Sequence, residues 1–140
     1  MNILIAADGS DYTKRALAYL AAHDEWLGAA HRYTVLTVVP AVPPHAARVV
    51  GKETLEGWYS DAAQAVFKPI RAFFKKQKIE AVFVSKVGQA GEVIGKFADA
   101  GKFDLLVLGS HGHGTIGNLV MGSVATKVMA SCRTPVLVVR

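Results

Sequence analysis

The chain has 140 residues, 51% of them apolar, and a formal net charge of +5 with a pI of about 9.5. That length and apolar share suit one domain spanning 1–140 with a real core, and they argue against disorder. The longest apolar runs, such as Leu105-Leu-Val-Leu108, are strand-length and fall far short of the roughly 20 residues of a membrane helix.

The first residues carry no basic segment and no small-residue cleavage site, so no secretory signal is expected. Cys132, the single cysteine, has no partner for an intramolecular disulfide, in keeping with a reducing cytoplasm. The positive charge raises a nucleic-acid reading. The basic residues are scattered, however, and the densest group, Lys75-Lys76-Gln-Lys78, falls at the end of an expected helix, where cations complement the dipole. No basic-and-aromatic interleaving of the RNA-binding kind occurs. Binding to membranes or nucleic acid is not expected.

Residues 2–7 read as a buried strand stopped by Asp8-Gly9-Ser10-Asp11. A helix is expected from about Tyr12, with Thr13, Ala16, Leu17, Leu20, Ala21 and Leu27 on one face. The β-branched stretch 33–39 predicts a second strand. Pro40, Pro43 and Pro44 end it and open a loop to about Gly51. A helix follows over Lys52–Gln77, with Pro69 expected to kink or divide it. Ala81–Val87 predicts a third strand. A helix around Glu92–Ala100 presents Val93, Ile94, Phe97 and Ala98. Residues 104–109 predict a fourth strand, Ser123–Ser131 a helix with a Val124, Val128 and Cys132 stripe, and Pro135–Val139 a fifth strand. Strands that are continuously apolar and alternate with helices predict an α/β fold, a parallel sheet covered on both faces.

Between the fourth strand and the last helix lies Gly109-Ser-His-Gly112-His-Gly114-Thr-Ile-Gly117-Asn-Leu-Val-Met-Gly122-Ser123, with five glycines in fourteen positions. Glycines let main-chain amides converge on an anion. A helix starting at Ser123 adds its free N–H groups, and the Ser123 hydroxyl can reach the same anion. Gly112-His-Gly114-Thr-Ile-Gly117 formally matches G-x-G-x-x-G, but no acidic residue follows Asp104 to hold a ribose, which disfavours NAD. Thr115-Ile116 stands where a P-loop needs Lys-Ser/Thr, which disfavours a Walker NTPase. His111 and His113 without further ligands do not make a zinc site. No lysine or arginine lies in the loop to neutralise a transferring phosphoryl group, and Ser10 has no His–Asp pair. Capture with slow or no hydrolysis is expected, with no catalytic residue. The alternatives are a weak ATPase or adenylyl-transferring enzyme, with Asp8 and His111 orienting water, and a basic nucleic-acid-binding module.

The chain resembles the universal stress protein family, in its ATP-binding branch. Gly109, Gly112 and Gly122-Ser123 match that branch's G-x2-G-x9-G-[ST] at each fixed position, and the blocks Asn2–Ser10, Leu36–Val38, Gly88–Ile94, Phe103–Gly109 and Thr134–Val139 resemble the family's. The resemblance implies an open, Rossmann-like five-stranded parallel sheet in the order 3-2-1-4-5, with ligands at the switch point between strands one and four. It implies ATP with Mg2+ (or Mn2+) as ligands, Asp8 near the ribose and the metal, Val38 offering its main chain to adenine, and Gly109, Gly112, Gly122 and Ser123 around ribose and phosphates. His111 and Val124, flanking these positions, are candidates for the same site. It also implies a stress-response or signalling role and a homodimer paired through the C-terminal edge strand. One departure is His113-Gly114, where the family often has a basic residue followed by Ser or Thr.

Overall fold

The computed structural model describes residues 1–113 and 120–140. Its elements in chain order are β1 (Asn2–Ala6), α1 (Asp11–Ala22), β2 (Arg32–Val39), α2 (Pro44–Val50), α3 (Lys52–Lys76), β3 (Ala81–Val87), α4 (Ala90–Ala100), β4 (Leu105–Gly109), α5 (Ser123–Ser131) and β5 (Val136–Val139). Among the described residues the strands form one parallel sheet in the order β3-β2-β1-β4-β5. This is the α/β arrangement expected from the apolar pattern and the strand order that the family resemblance implies.

Alternation along β1 divides the core. Ile3 and Ile5 face α1 and α3, packing with Ala16, Leu17, Leu20, Phe67, Ile70 and Phe74. Leu4 faces the other way, with Leu36, Leu106 and Leu108, onto Ile94 and Ala98 of α4 and Ala125 and Val128 of α5. Both faces of β1 are therefore fully covered, which is why its sequence is apolar without interruption. β3 and β5 are the two edges. Val82 and Val87 of β3 are 61% and 44% exposed.

Several local expectations are corrected. α1 stops at Ala22, so Leu27 lies beyond it and reaches the core from the following turn, while Ala21 faces solvent. The segment expected as loop between Pro40 and Gly51 contains α2, which starts on Pro44 at a position where a missing N–H costs nothing. α2 buries none of its residues, so no apolar face advertised it. α3 runs unbroken through Pro69. Pro69 is exposed, so water can satisfy the carbonyl its ring leaves without a donor. On α5 the inward positions are Ala125 and Val128. Val124 is 37% exposed and turns elsewhere, and Cys132 sits partly buried at the helix end. Lys75, Lys76 and Lys78 form the solvated helix end expected of them.

Candidate functional site

At the C-terminal ends of the strands a cavity of about 550 Å3 opens, within the usual range for small-molecule sites. Its lining comes from the turn after β1 (Asp8), the end of β2 (Thr37, Val38, Val39), α3 (Ala62, Val66), α4 (Ala90, Ile94) and the β4–α5 loop. Asp8, Val38, Gly109, His111, Gly112, Gly122, Ser123 and Val124, separated by up to 116 positions in the chain, all face this one space. The remainder of the glycine loop from Gly114, including Thr115-Ile116 and Gly117, lies outside the described residues up to position 119.

The strand order explains the convergence. β1 and β4 are neighbours, but one leads by way of Asp8 into α1 and the other through the glycine loop into α5, which lie on opposite faces. The two connections part and leave a crevice. Gly9, at φ +79°, makes the turn after Asp8, a conformation that a β-carbon penalises. The loop is tied at both ends: Ser110 N donates to Val139 O at 2.7 Å, and Gly122 N donates to Ser110 O at 2.7 Å.

Asp8 is the polar centre of the crevice. Its Oδ1 accepts from Ser10 N at 2.9 Å and from Thr13 Oγ1 at 3.0 Å, and its Oδ2 accepts from His113 N at 3.3 Å. The His113 ring bonds the Asp8 carbonyl at 2.8 Å through Nε2, which donates because that oxygen can only accept. Burial pushes the Asp8 carboxyl upward, but hydrogen bonds from Ser10 and Thr13 and the nearby His113 ring outweigh it. The net effect is a carboxyl below its ordinary value, ionised at neutral pH. His113, the departure noted in the sequence, thus turns to the β1 turn and clamps the loop there. His111 bonds Ser110 Oγ through Nδ1 at 2.8 Å and packs its ring 5.0 Å from that of Tyr12.

Three close approaches account for the glycine frame. A β-carbon at Gly109 would come within 2.5 Å of Tyr12 Cβ. One at Gly112 would overlap the Asp8 carboxylate, and one at Gly122 would lie 3.1 Å from His111 Cα and 3.3 Å from Ser110 O. Gly122 is also the N-cap residue of α5 and brings no side-chain cap. The first N–H groups of that helix, from Ser123 onward, have no acceptor within it, and Ser123, Val124 and Ala125 all border the cavity.

Val38 is placed by the ladder. Ala7 N donates to Leu36 O at 2.9 Å as the last rung between β1 and the neighbouring strand. Main-chain groups alternate sides along a strand, so those of Val38 point the same way one step further on. There the chain has already turned off into Asp8-Gly9, and the cavity begins. Sequence reasoning missed Thr13 and Thr37. Both are polar and buried, 5% and 3% exposed; the available signals were Thr37 inside an apolar run and Thr13 on the inward face of the first helix.

Among the described residues no group of three or more His, Cys, Asp or Glu gathers to hold a metal. No helix among them is long and apolar enough to cross a membrane.

The model of the universal stress protein family matches residues 1–140. The chain belongs to the universal stress protein family. A Thermus aquaticus protein named "Universal stress protein in QAH/OAS sulfhydrylase 3'region" is 34% identical over 139 residues, covering 99% of this chain and 98% of its own. Two solved structures share the fold. A universal stress protein in complex with cAMP has 23% identity, a TM-score of 0.68 and coverage of 100% and 97% of the two chains. The universal stress protein from Archaeoglobus fulgidus in complex with dAMP has 23% identity, a TM-score of 0.61 and coverage of 100% and 98%.

Proposed function

We propose that this universal stress protein is a nucleotide-capture module of the stress-response or signalling kind, holding an adenine nucleotide, ATP among its ligands, with slow or no hydrolysis. The observation that carries this reading is the convergence of Asp8, Val38 and the Gly109–Gly112–Gly122-Ser123 frame on one cavity of about 550 Å3. The Val38 main chain offers a donor and an acceptor to the adenine edge, between apolar walls that include Val39, Val66 and Ile94. Asp8 faces the ribose, and the loop amides with the start of α5 receive the phosphates. Related universal stress proteins that hold cAMP and dAMP support the adenosine end of this assignment.

Asp8 also suits a divalent cation that arrives with the nucleotide. It is ionised, and Mg2+ is commonly held by one or two carboxylates together with substrate phosphates, with no all-protein cage. Mg2+ or Mn2+ would there offset phosphate charge. Hydrolysis is not favoured, because the cavity has no Lys or Arg among its described lining to stabilise a transferring phosphoryl group. Among the described residues the edge strand β5 pairs with β4 alone, and pairing of two copies along it would cover an apolar edge. A homodimer is the assembly this favours, and light scattering that gives a monomer mass at every concentration would contradict it.

Thermal unfolding with and without ATP and Mg2+ tests the function. At a hundredfold excess over the dissociation constant, stabilisation of about 2.7 kcal/mol is expected. No shift at millimolar nucleotide would overturn the reading.

A further inference from the structure

We propose that the cavity selects adenine nucleotides bearing a single phosphate, and accepts a triphosphate only when a divalent cation accompanies it. The proposal rests on the adenine-nucleotide reading above and concerns the charge the site can receive. The whole segment from Gly109 to Ser123 contains neither Lys nor Arg. None lines the cavity among the described residues either, and the carboxylate present there, Asp8, is an anion.

The neighbouring cations are not among the cavity's described lining and have contacts elsewhere. Lys127, one turn into α5, lays its Cβ and Cγ against Gly91 of α4, and its charge bears on Glu92. Lys96 is paired with the same Glu92 at 2.8 Å. Lys14 lines a separate cavity of about 240 Å3 between α1 and α3 and lies 3.8 Å from Asp11. The Arg15 guanidinium sits over the Tyr12 ring, 4.8 Å from its centroid.

Beside the His111 and His113 rings, the described lining offers an anion main-chain N–H groups, the Ser123 hydroxyl and the end of α5. A helix end presents about half a positive charge, and its influence fades within the first turn. That offsets part of the charge of one phosphate and a much smaller share of a triphosphate's. Each added phosphate brings further negative charge to a cavity whose described lining holds the Asp8 carboxylate and no Lys or Arg. Val120, Met121 and Val124, which flank Gly122-Ser123, are apolar. A divalent cation bound to the phosphates removes the mismatch, since Asp8 then faces a positive ion.

The test is equilibrium binding to the full chain by calorimetry at pH 8, using AMP, cyclic AMP and ATP, each in EDTA and in excess Mg2+. AMP and cyclic AMP are expected to bind in EDTA, with free ATP at least tenfold weaker. Mg2+ is expected to restore ATP binding and to change AMP affinity by less than twofold. His113→Arg, which places a guanidinium at the loop, is expected to strengthen metal-free ATP at least tenfold and AMP by less. Circular dichroism verifies its fold, and the wild-type comparison stands without it. Free ATP binding as tightly as AMP in EDTA would overturn the proposal. Binding of no adenine nucleotide under any condition would instead overturn the nucleotide reading itself.

Discussion

The Asp8 carboxylate lies against Gly112, in the space a β-carbon at position 112 would fill. The approach is held by the adjacent His113, whose N–H donates to Asp8 Oδ2 at 3.3 Å and whose ring bonds the Asp8 carbonyl at 2.8 Å. The second glycine of the loop frame and the acidic end of the first strand are therefore one feature of the structure, though 104 positions separate them. Gly112→Ala should push Asp8 and the loop apart. Adenine-nucleotide affinity should fall at least tenfold, or about 1.4 kcal/mol, as read by calorimetry.

Gly109→Ala should behave differently. The new methyl would meet Tyr12 Cβ at 2.5 Å and a Tyr12 main-chain carbon at 3.2 Å, so the first turn of α1 would have to move off β4. Overpacking of this kind costs about 1–3 kcal/mol. Urea unfolding should show a lower midpoint with an unchanged slope, and a larger stability loss than for Gly112→Ala.

The Asp8 carboxyl gives a prediction with a defined sign. Its folded value lies below 3.8, against burial and because of the donors around it. The ionised group therefore stabilises the fold above the unfolded value, and that contribution is lost as pH falls through the lower folded one. Wild type should lose stability below about pH 4 more steeply than Asp8→Asn, in denaturant titrations across acid pH. At neutral pH Asp8→Ala should cost about 1–3 kcal/mol, since the Ser10 and His113 N–H groups lose their acceptor.

Much of this arrangement was legible in the sequence, for physical reasons that differ by element. β1, β2 and β4 are covered on both faces, so their apolar runs stand out. The glycine frame was readable because close approach to Asp8, Tyr12 and Ser110 excludes β-carbons, a requirement that leaves glycine at fixed spacing. α2 was not legible, because it buries no residue and carries no apolar stripe, and its prolines read as loop. Pro69 misled because only the tertiary setting shows its face to be exposed. On α5, Val124 was assigned to the core stripe as well as to the site. The structure turns it to the cavity and gives the core to Ala125, a small residue with a weak periodic signal. The orientation of His113 toward Asp8 depends on a contact between distant segments, and no local pattern reveals it.

Lys102 follows Gly101 at the end of α4 and adopts φ +52°, and Lys78 adopts φ +58° beyond α3. A β-carbon in that left-handed conformation costs about 1–2 kcal/mol, part of which glycine returns through the entropy of the unfolded chain. Lys102→Gly should stabilise the protein by about 0.5–1 kcal/mol in urea unfolding, with nucleotide affinity unchanged.

The most direct test of the central claim is an amide chemical-shift titration of the isotopically labelled chain with AMP. The account predicts that the largest shifts fall on Val38, Gly109, Gly112, Ser123 and Val124, and that they saturate together with a single dissociation constant. Shifts that map instead to the α1–α3 cavity around Lys14 and Phe73, or that are absent at millimolar AMP, would contradict it.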